Sequence, residues 1–349
     1  MRKAALISGP SGTSRRGVRP PILGFAVAGL VAAAAISIPL PLLVLEPGPA
    51  PDLMKRTEVS APTYPSRGAF HFTTTQITSI DGVTMYEALK AAVDPDKGVL
   101  PRESIYPPGF SHQQTERAHA AQMTQSQDAA AVAALKEVGL PYEPDGVLVT
   151  QVVKDSDANR KLQPGDIIVK VDEAPIVRLA DITRAVAARQ VGKPIQVSVK
   201  RAAEAKEFSI RAIESDKEPG KPSLGVMVRQ HHKPPFDLKI DNAGIGGPSA
   251  GLMLALSIYD LLVPDDLTRG KKVAGTGTIE NRKGHSGVVG EVGAIKQKVE
   301  SARRIGAQVF LVPRAELEAA QKAAEPSMLV VGVSTLREAI SALSKISPD

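Results

Sequence analysis

Ser249 sits in Gly247-Pro248-Ser249-Ala250-Gly251, a tight turn that runs into the apolar stretch Leu252, Met253, Leu254, Leu256, Ile258 and Leu261. A serine at a helix start is built like a nucleophile. The first N–H groups of a helix lack intrahelical partners and suit a developing oxyanion. The hydroxyl attacks only when a base takes its proton. Lys298, in Val292-Gly293-Ala294-Ile295-Lys296-Gln297-Lys298 at the opening of another helix, is a candidate for that base. A lysine can serve only when neutral, and burial disfavours its ammonium form. Val292, Ala294, Ile295 and Val299 are small or apolar neighbours that suit such a site. The implied chemistry is acyl transfer. Ser249 attacks a carbonyl, Lys298 accepts and returns the proton, backbone N–H groups near Gly247 and Ala250 hold the oxyanion, and water releases the acyl group.

The blocks around these residues resemble the proteolytic domain of the Lon family, over roughly Pro222 to Leu343. Gly247 to Gly251 matches the family's serine block, and Val273 to Ile279 matches the segment between the catalytic residues. Gly290 to Lys298, running on to Arg304–Pro313, matches the lysine block and its following strand. The family's dyad lysine ends a GGxxxK-like stretch, and that register selects Lys298, not Lys296. Thr276 falls where the family has a threonine that helps orient the lysine. Two departures stand out. The ATP-dependent members carry an acidic residue three positions before the serine, where this chain has Gly246, and Asn281 to Gly287 is longer than the family's turn. Alone, the first block reads equally as a helix start capped by Ser249, and Lys298 as a surface lysine. Both blocks in order, with Thr276 between them and a strand after, argue against that.

Residues 247–251 also satisfy G-x-S-x-G, the nucleophile elbow of α/β-hydrolases. That fold needs a strand leading into the turn and an acid and a histidine after it. Ile240 to Gly246 does not read as a buried strand, and the only downstream histidine is His285, in a Gly- and charge-rich loop.

The elements that must position this chemistry belong to a chain of 349 residues, long enough for more than one domain. With no cysteine, disulfides, thiol catalysis and Cys-based metal sites are excluded. His71, His112 and His119 are too scattered for metal spacing, so no metal and no cofactor is expected. The net charge of +6 suggests a polyanionic partner, but Arg2, Lys3, Arg15, Arg16 and Arg19 supply most of the excess. That distribution, with only 3% aromatic residues to stack on bases, argues against nucleic-acid binding. From Ile22 to Leu45 no residue is charged, whereas a bilayer core takes about 20 helical residues. The run is longer than a signal-peptide core, and Pro39-Leu40-Pro41 offers no clean cleavage site. It therefore reads as a transmembrane anchor, with the N-terminus cytoplasmic and everything after Glu46 extracytoplasmic.

Beyond a proline-rich exit (Glu46 to Pro51), Gly68 to Ile77 has strand composition and Gln113 to Val138 carries helix formers. Residues from about 138 to 214 resemble a PDZ domain. Gly146 to Val153 is an apolar strand, and Leu162-Gln163-Pro164-Gly165-Asp166-Ile167-Ile168 begins the L-x-x-G-D-x-I pattern. A helix (Leu179 to Gln190) and two strands (Pro194 to Arg201, Glu207 to Ile213) follow. PDZ domains bind extended peptides by strand addition and often capture a C-terminal carboxylate. Gly139 and Leu140 are the candidates for the carboxylate-binding loop. After Pro222, strands and helices alternate to the C-terminus, an α/β signature. No G-x-x-x-x-G-K-[ST] occurs, so no P-loop ATPase travels in this chain.

The expectation is thus an α/β and α+β multidomain chain with an N-terminal transmembrane helix, a PDZ module and a Lon-type α/β protease domain. Its segments are a cytoplasmic tail (1–21), anchor (22–45), linker and accessory region (46–137), PDZ domain (138–215) and protease domain (216–349). The resemblance implies an ATP-independent serine endopeptidase acting on unfolded or membrane-associated polypeptides. It also implies a homo-oligomer, with a hexameric ring as one form. The alternative is a non-catalytic PDZ scaffold whose Lon-like part only assembles or binds peptides.

Overall fold

The computed structural model describes residues 37–78, 82–109, 111–201, 204–216, 218–282 and 285–348. The expected tail (1–21) and residues 22–36 of the expected anchor lie outside them. The remainder of that anchor is not helical. Pro39–Leu40 forms strand β1 and Leu42–Pro47 forms β2, with Leu43, Val44 and Leu45 buried. Pro39 and Pro41 supply no backbone N–H for a helix interior, so the chain here is extended. The leucines that lengthened the uncharged run are core residues of a sheet. No helix among the described residues is long and apolar enough to cross a membrane. The transmembrane helix over 22–45 is accordingly withdrawn.

Strands β3 (Thr57–Val59), β4 (Ala69–Phe72), β5 (Thr75–Ile77), β6 (Val83–Thr84) and β7 (Gly98–Pro101) follow. β2 lies between β5 and β7, and β1 pairs with β6. Helix α1 (Met85–Val93) opens with a reciprocal Thr84/Glu87 capping box. Helix α2 (His112–Val138) opens with Ser111 and Gln114 in the same arrangement and closes at Gly139 in the left-handed conformation.

Strands β8 (Glu143–Val152), β9 (Ile167–Val171), β10 (Ala174–Pro175), β11 (Pro194–Arg201) and β12 (Glu204–Arg211) come next, with helix α3 (Leu179–Ala187) between β10 and β11. The short pair β13 (Ile213–Glu214) and β14 (Pro222–Ser223) leads to β15 (Val226–Lys233). The main sheet has the order β12-β11-β9-β8-β15, with β10 on β9. Val147, Val149, Ile168, Ile195, Val197 and Ile210 fill its core. The Pro164-Gly165 turn is locked by Asp166, which accepts from Gln163 N at 2.9 Å and from Arg201 at 2.6 and 2.7 Å. Asp166 is fully buried, and the fork-shaped pair satisfies both its oxygens. Because β15 completes this sheet, the module continues past residue 215, where the domain boundary was expected.

The rest of the chain forms β16 (Leu238–Ile240), α4 (Gly251–Leu262), β17 (Lys272–Gly275), β18 (Thr278–Arg282), β19 (His285–Gly290), α5 (Ile295–Arg304), β20 (Val309–Pro313), α6 (Leu317–Ala323), β21 (Leu329–Val333) and α7 (Leu336–Leu343). A sheet of order β21-β20-β17-β4 is parallel throughout. One face packs on α4, α7 and the second half of α2, and the other on α5 and α6. Parallel sheets need both faces covered, which explains the unbroken burial of Val309–Pro313. Two elements come from the supposed accessory region. β4 is an edge strand of this sheet, and β3 pairs with β16. Leu53, Phe70, Phe72 and the second half of α2, from residues 46–137, therefore contribute to the core of the C-terminal unit.

Candidate active site and peptide groove

Ser249 lies, half-buried, in the loop between β16 and α4. Gly247 bends that loop with φ of +92°, a conformation that favours glycine. α4 is apolar on nearly every side and buried, so it is a rigid seat for the loop. The loop is stitched to the turn after β17. The carbonyl of Ser249 accepts from Gly277 N at 2.9 Å and from Thr276 Oγ1 at 3.2 Å, and Leu252 N donates to Gly277 O at 3.0 Å. Gly251 admits no side chain. A Cβ there would stand 2.7 Å from Ile279 N and 2.9 Å from Ser126 Oγ.

Lys298 lies in the first turn of α5 and is only 4% exposed, whereas Lys296 is exposed. Its Nζ donates to Thr276 Oγ1 at 3.1 Å. Thr276, fully buried, thereby joins the lysine to the serine loop: it accepts from Lys298 and donates to the Ser249 carbonyl. Burial pulls the Lys298 ammonium down to about 8, a shift that the negative charge of Glu316 only partly opposes. Glu316 itself accepts from Val292 N at 3.0 Å and Gly293 N at 2.9 Å, bracing the entry to α5. The helix begins after Ala294, held at φ of +53°. Among the described residues no hydrogen bond joins the Ser249 hydroxyl directly to Lys298. The connection runs through Thr276.

The expected oxyanion donors differ from each other. Gly247 N already donates to His119 O at 2.8 Å, so that N–H is engaged in this conformation. Ala250 is buried, and its N–H meets no acceptor among the described residues. The partner of Gly247 belongs to α2, an element to which the sequence reading assigned no role. α2 also places Ser126 Oγ 3.0 Å from Pro248 O and Gln127 Nε2 3.3 Å from Ile240 O. Its alanine-rich second half was the available signal, because small side chains let a helix approach closely. Ala129, Ala130, Ala133 and Ala134 are buried in the same core as α4. His285 opens β19. Among the described residues no group of three or more His, Asp or Glu could hold a metal ion.

The second site is a groove of about 290 Å³ in the PDZ-like module. Ile182, Thr183 and Val186 of α3 form one wall, and Val226 and Val228 of β15 the other, closed by Pro222 to Leu224. Among the described residues β15 is an edge strand, bonded to β8 on one side. Gly225, at φ of +70°, turns the chain into it, and a Cβ there would stand 2.5 Å from the Ser156 Cβ. Gly139 and Leu140 do not line this groove. Gly139 is the C-cap of α2. A larger open cleft of about 510 Å³ around Lys233 to Asp237 contains none of the expected dyad residues.

The model of the PDZ domain family matches residues 118–211. Similar solved structures include PDZ domains of SdrC-like proteins from two Listeria species. The Listeria monocytogenes domain is 24% identical, over 24% of this chain and 87% of that one, with a TM-score of 0.23. The Listeria innocua domain is 27% identical, over 25% and 98%, also at 0.23. A solution structure from Geobacillus thermodenitrificans is 28% identical, over 24% and 98%, at 0.23. No curated protein matches the chain. The chain thus carries a PDZ domain, a peptide-binding module. The match starts inside α2 and ends before β15, so the strand that forms one wall of the groove lies beyond it.

Proposed function

We propose that this chain is a serine endopeptidase of the Lon-like, Ser/Lys kind, and that its PDZ domain delivers extended polypeptide segments to it. Ser249 is the nucleophile and Lys298 the base. Thr276 orients the lysine, and the Ala250 N–H helps to hold the oxyanion. One observation carries the reading: a lysine buried beyond reach of bulk water, with its pKa lowered to about 8, ends a hydrogen-bond chain that leads to the serine loop. Burying an ammonium group is costly. A chain that keeps one beside a serine at a helix start gains nothing structural that Met or Leu would not supply better.

The peptide docks as a further strand on the free edge of β15, with an apolar side chain between α3 and β15. No P-loop is present in the sequence, so the substrates are chains already unfolded. The resemblance to Lon domains implies a homo-oligomeric ring, which light scattering of the full chain tests.

A peptide-binding scaffold is the second reading. It is favoured by the engagement of Gly247 N with His119 O and by the missing direct contact between Ser249 and Lys298. Digestion of casein, with parallel labelling by a serine-reactive probe, separates the two. Cleavage lost in Ser249→Ala and in Lys298→Ala but kept in His285→Ala supports the peptidase. A wild-type chain that neither cuts nor labels at Ser249 between about pH 6 and 10 supports the scaffold.

A further inference from the structure

Of the five backbone N–H groups from Gly247 to Leu252, three are engaged. Gly247 N donates to His119 O at 2.8 Å, Gly251 N to Pro248 O at 3.4 Å and Leu252 N to Gly277 O at 3.0 Å. Pro248 has no N–H to give. Among the described residues, the N–H groups of Ser249 and Ala250 meet no acceptor. Both lie at the N-terminal end of α4, where the helix dipole favours negative charge.

The direction of each free N–H is set by the carbonyl of its own peptide unit. No peptide bond is cis among the described residues, so C=O and N–H point opposite ways across each planar unit. Ser249 O is held by Gly277 N and Thr276 Oγ1, which turns the Ala250 N–H away from the loop after β17. The neighbouring unit is held from α2. Ser126 Oγ donates to Pro248 O at 3.0 Å, which turns the Ser249 N–H away from that helix. Ser126 differs here from the other hydroxyls of α2. Thr115 and Thr124 donate back to carbonyls four residues earlier on their own helix, Ser111 O at 3.3 Å and Ala120 O at 3.2 Å. Ser126, only 4% exposed, reaches instead to a carbonyl 122 residues away in the chain. Gly251 makes room for it, since a Cβ there would stand 2.9 Å from the hydroxyl. We propose that Ser126 is a positioning residue of the peptidase site: through Pro248 O it aims the Ser249 N–H, which with the Ala250 N–H makes a two-donor oxyanion hole. The proposal rests on the Ser/Lys peptidase reading above.

The test compares three full-length proteins: wild type, Ser126→Ala and, as control, Thr124→Ala, whose hydroxyl bonds its own helix. Hydrolysis of fluorescein-labelled casein gives kcat and KM. The rate at which a fluorophosphonate labels Ser249 reports the same hole, because an oxygen on phosphorus must enter it. Thermal unfolding reports the fold. In Ser126→Ala, kcat and the labelling rate should fall about 10- to 100-fold, short of the cost of about 100- to 1000-fold for deleting a donor outright. KM and the pH midpoint of kcat/KM should not move, because the lysine base is untouched. Thr124→Ala should match wild type. The proposal is overturned if Ser126→Ala cuts and labels as fast as wild type, or if its loss lies in KM or in a shifted pH midpoint. It is equally overturned if activity falls only because the protein no longer unfolds as a cooperative native state, which would make Ser126 an ordinary core residue. A wild type that neither cuts nor labels removes the peptidase reading and this proposal with it, an outcome distinct from an active wild type with an equally active Ser126→Ala.

Discussion

Replacing Lys298 with methionine separates a functional lysine from a structural one. With its pKa lowered from 10.5 to about 8, the buried group binds protons less readily folded than unfolded. The sign follows from linkage. Where the unfolded chain holds more protons, stability rises with pH. Below pH 8 the full penalty is therefore present, and it fades as pH climbs towards 10.5. Its size is the difference between those two values at 1.36 kcal/mol per unit, about 3 kcal/mol. Methionine has similar length and no charge to desolvate, and it leaves only Thr276 Oγ1 without its donor. Lys298→Met is thus expected to be more stable than wild type at pH 7 by up to about 3 kcal/mol, less about 1 kcal/mol for the lost hydrogen bond. The gap should close near about pH 10 and reverse above it, where only the lost hydrogen bond remains. Peptidase activity should disappear in the same protein, as when stability and activity trade off at one site. In the wild type, kcat/KM should rise with pH and level off above about 8, because only about a tenth of the lysine is neutral at pH 7. Urea unfolding of both proteins at three or four pH values measures the stability term. A methionine variant less stable than wild type at pH 7, or a difference independent of pH, refutes the reasoning: Lys298 would then be an ordinary charged group satisfied by its surroundings.

Ala294→Gly relieves a left-handed alanine at the start of α5 and should raise stability by about 1 kcal/mol with peptidase activity unchanged, as read by thermal unfolding and casein digestion. Gly251→Ala forces a Cβ to within 2.7 Å of Ile279 N and should abolish cleavage while leaving peptide binding to the PDZ domain intact. Gly225→Val strains a φ of +70° and meets Ser156, so fluorescence polarisation should show loss of binding to peptides with an apolar C-terminus, with hydrolysis of a short chromogenic peptide retained. Thr276→Val removes the acceptor of Lys298, which disfavours its ammonium form. The pH profile of kcat/KM should move to lower pH, and its plateau should fall because the lysine is no longer oriented.

What could be read from the sequence was what local chemistry dictates. The Pro164-Gly165-Asp166 turn needs a glycine and an acceptor at those positions, and α4 needs an uninterrupted apolar stretch, so both were visible in the letters. The elements that failed to show were those whose meaning depends on a distant partner. Leu42 to Leu45 read as the end of a membrane span because hydropathy does not distinguish lipid from a β-sheet interior, and only pairing with β5 and β7 settles it. Pro39 and Pro41 were the local hint. The pairing of Val226 to Lys233 with β8, across the boundary expected at 215, did not show because β8 begins more than eighty residues earlier. β15 consequently serves both units. Its valines wall the PDZ groove, while Arg229 donates to Gln125 O at 2.6 Å and Asp128 at 3.1 Å on α2. α2 in turn contacts the serine loop through His119 and Ser126. No short motif encodes that arrangement, since each contact joins segments remote in the chain. The practical consequence is that cutting the chain at residue 215 would strip the PDZ sheet of its edge strand. A cut at 137 would strip the parallel sheet of β4 and the serine loop of its brace, so neither unit can be excised at the borders that composition suggests.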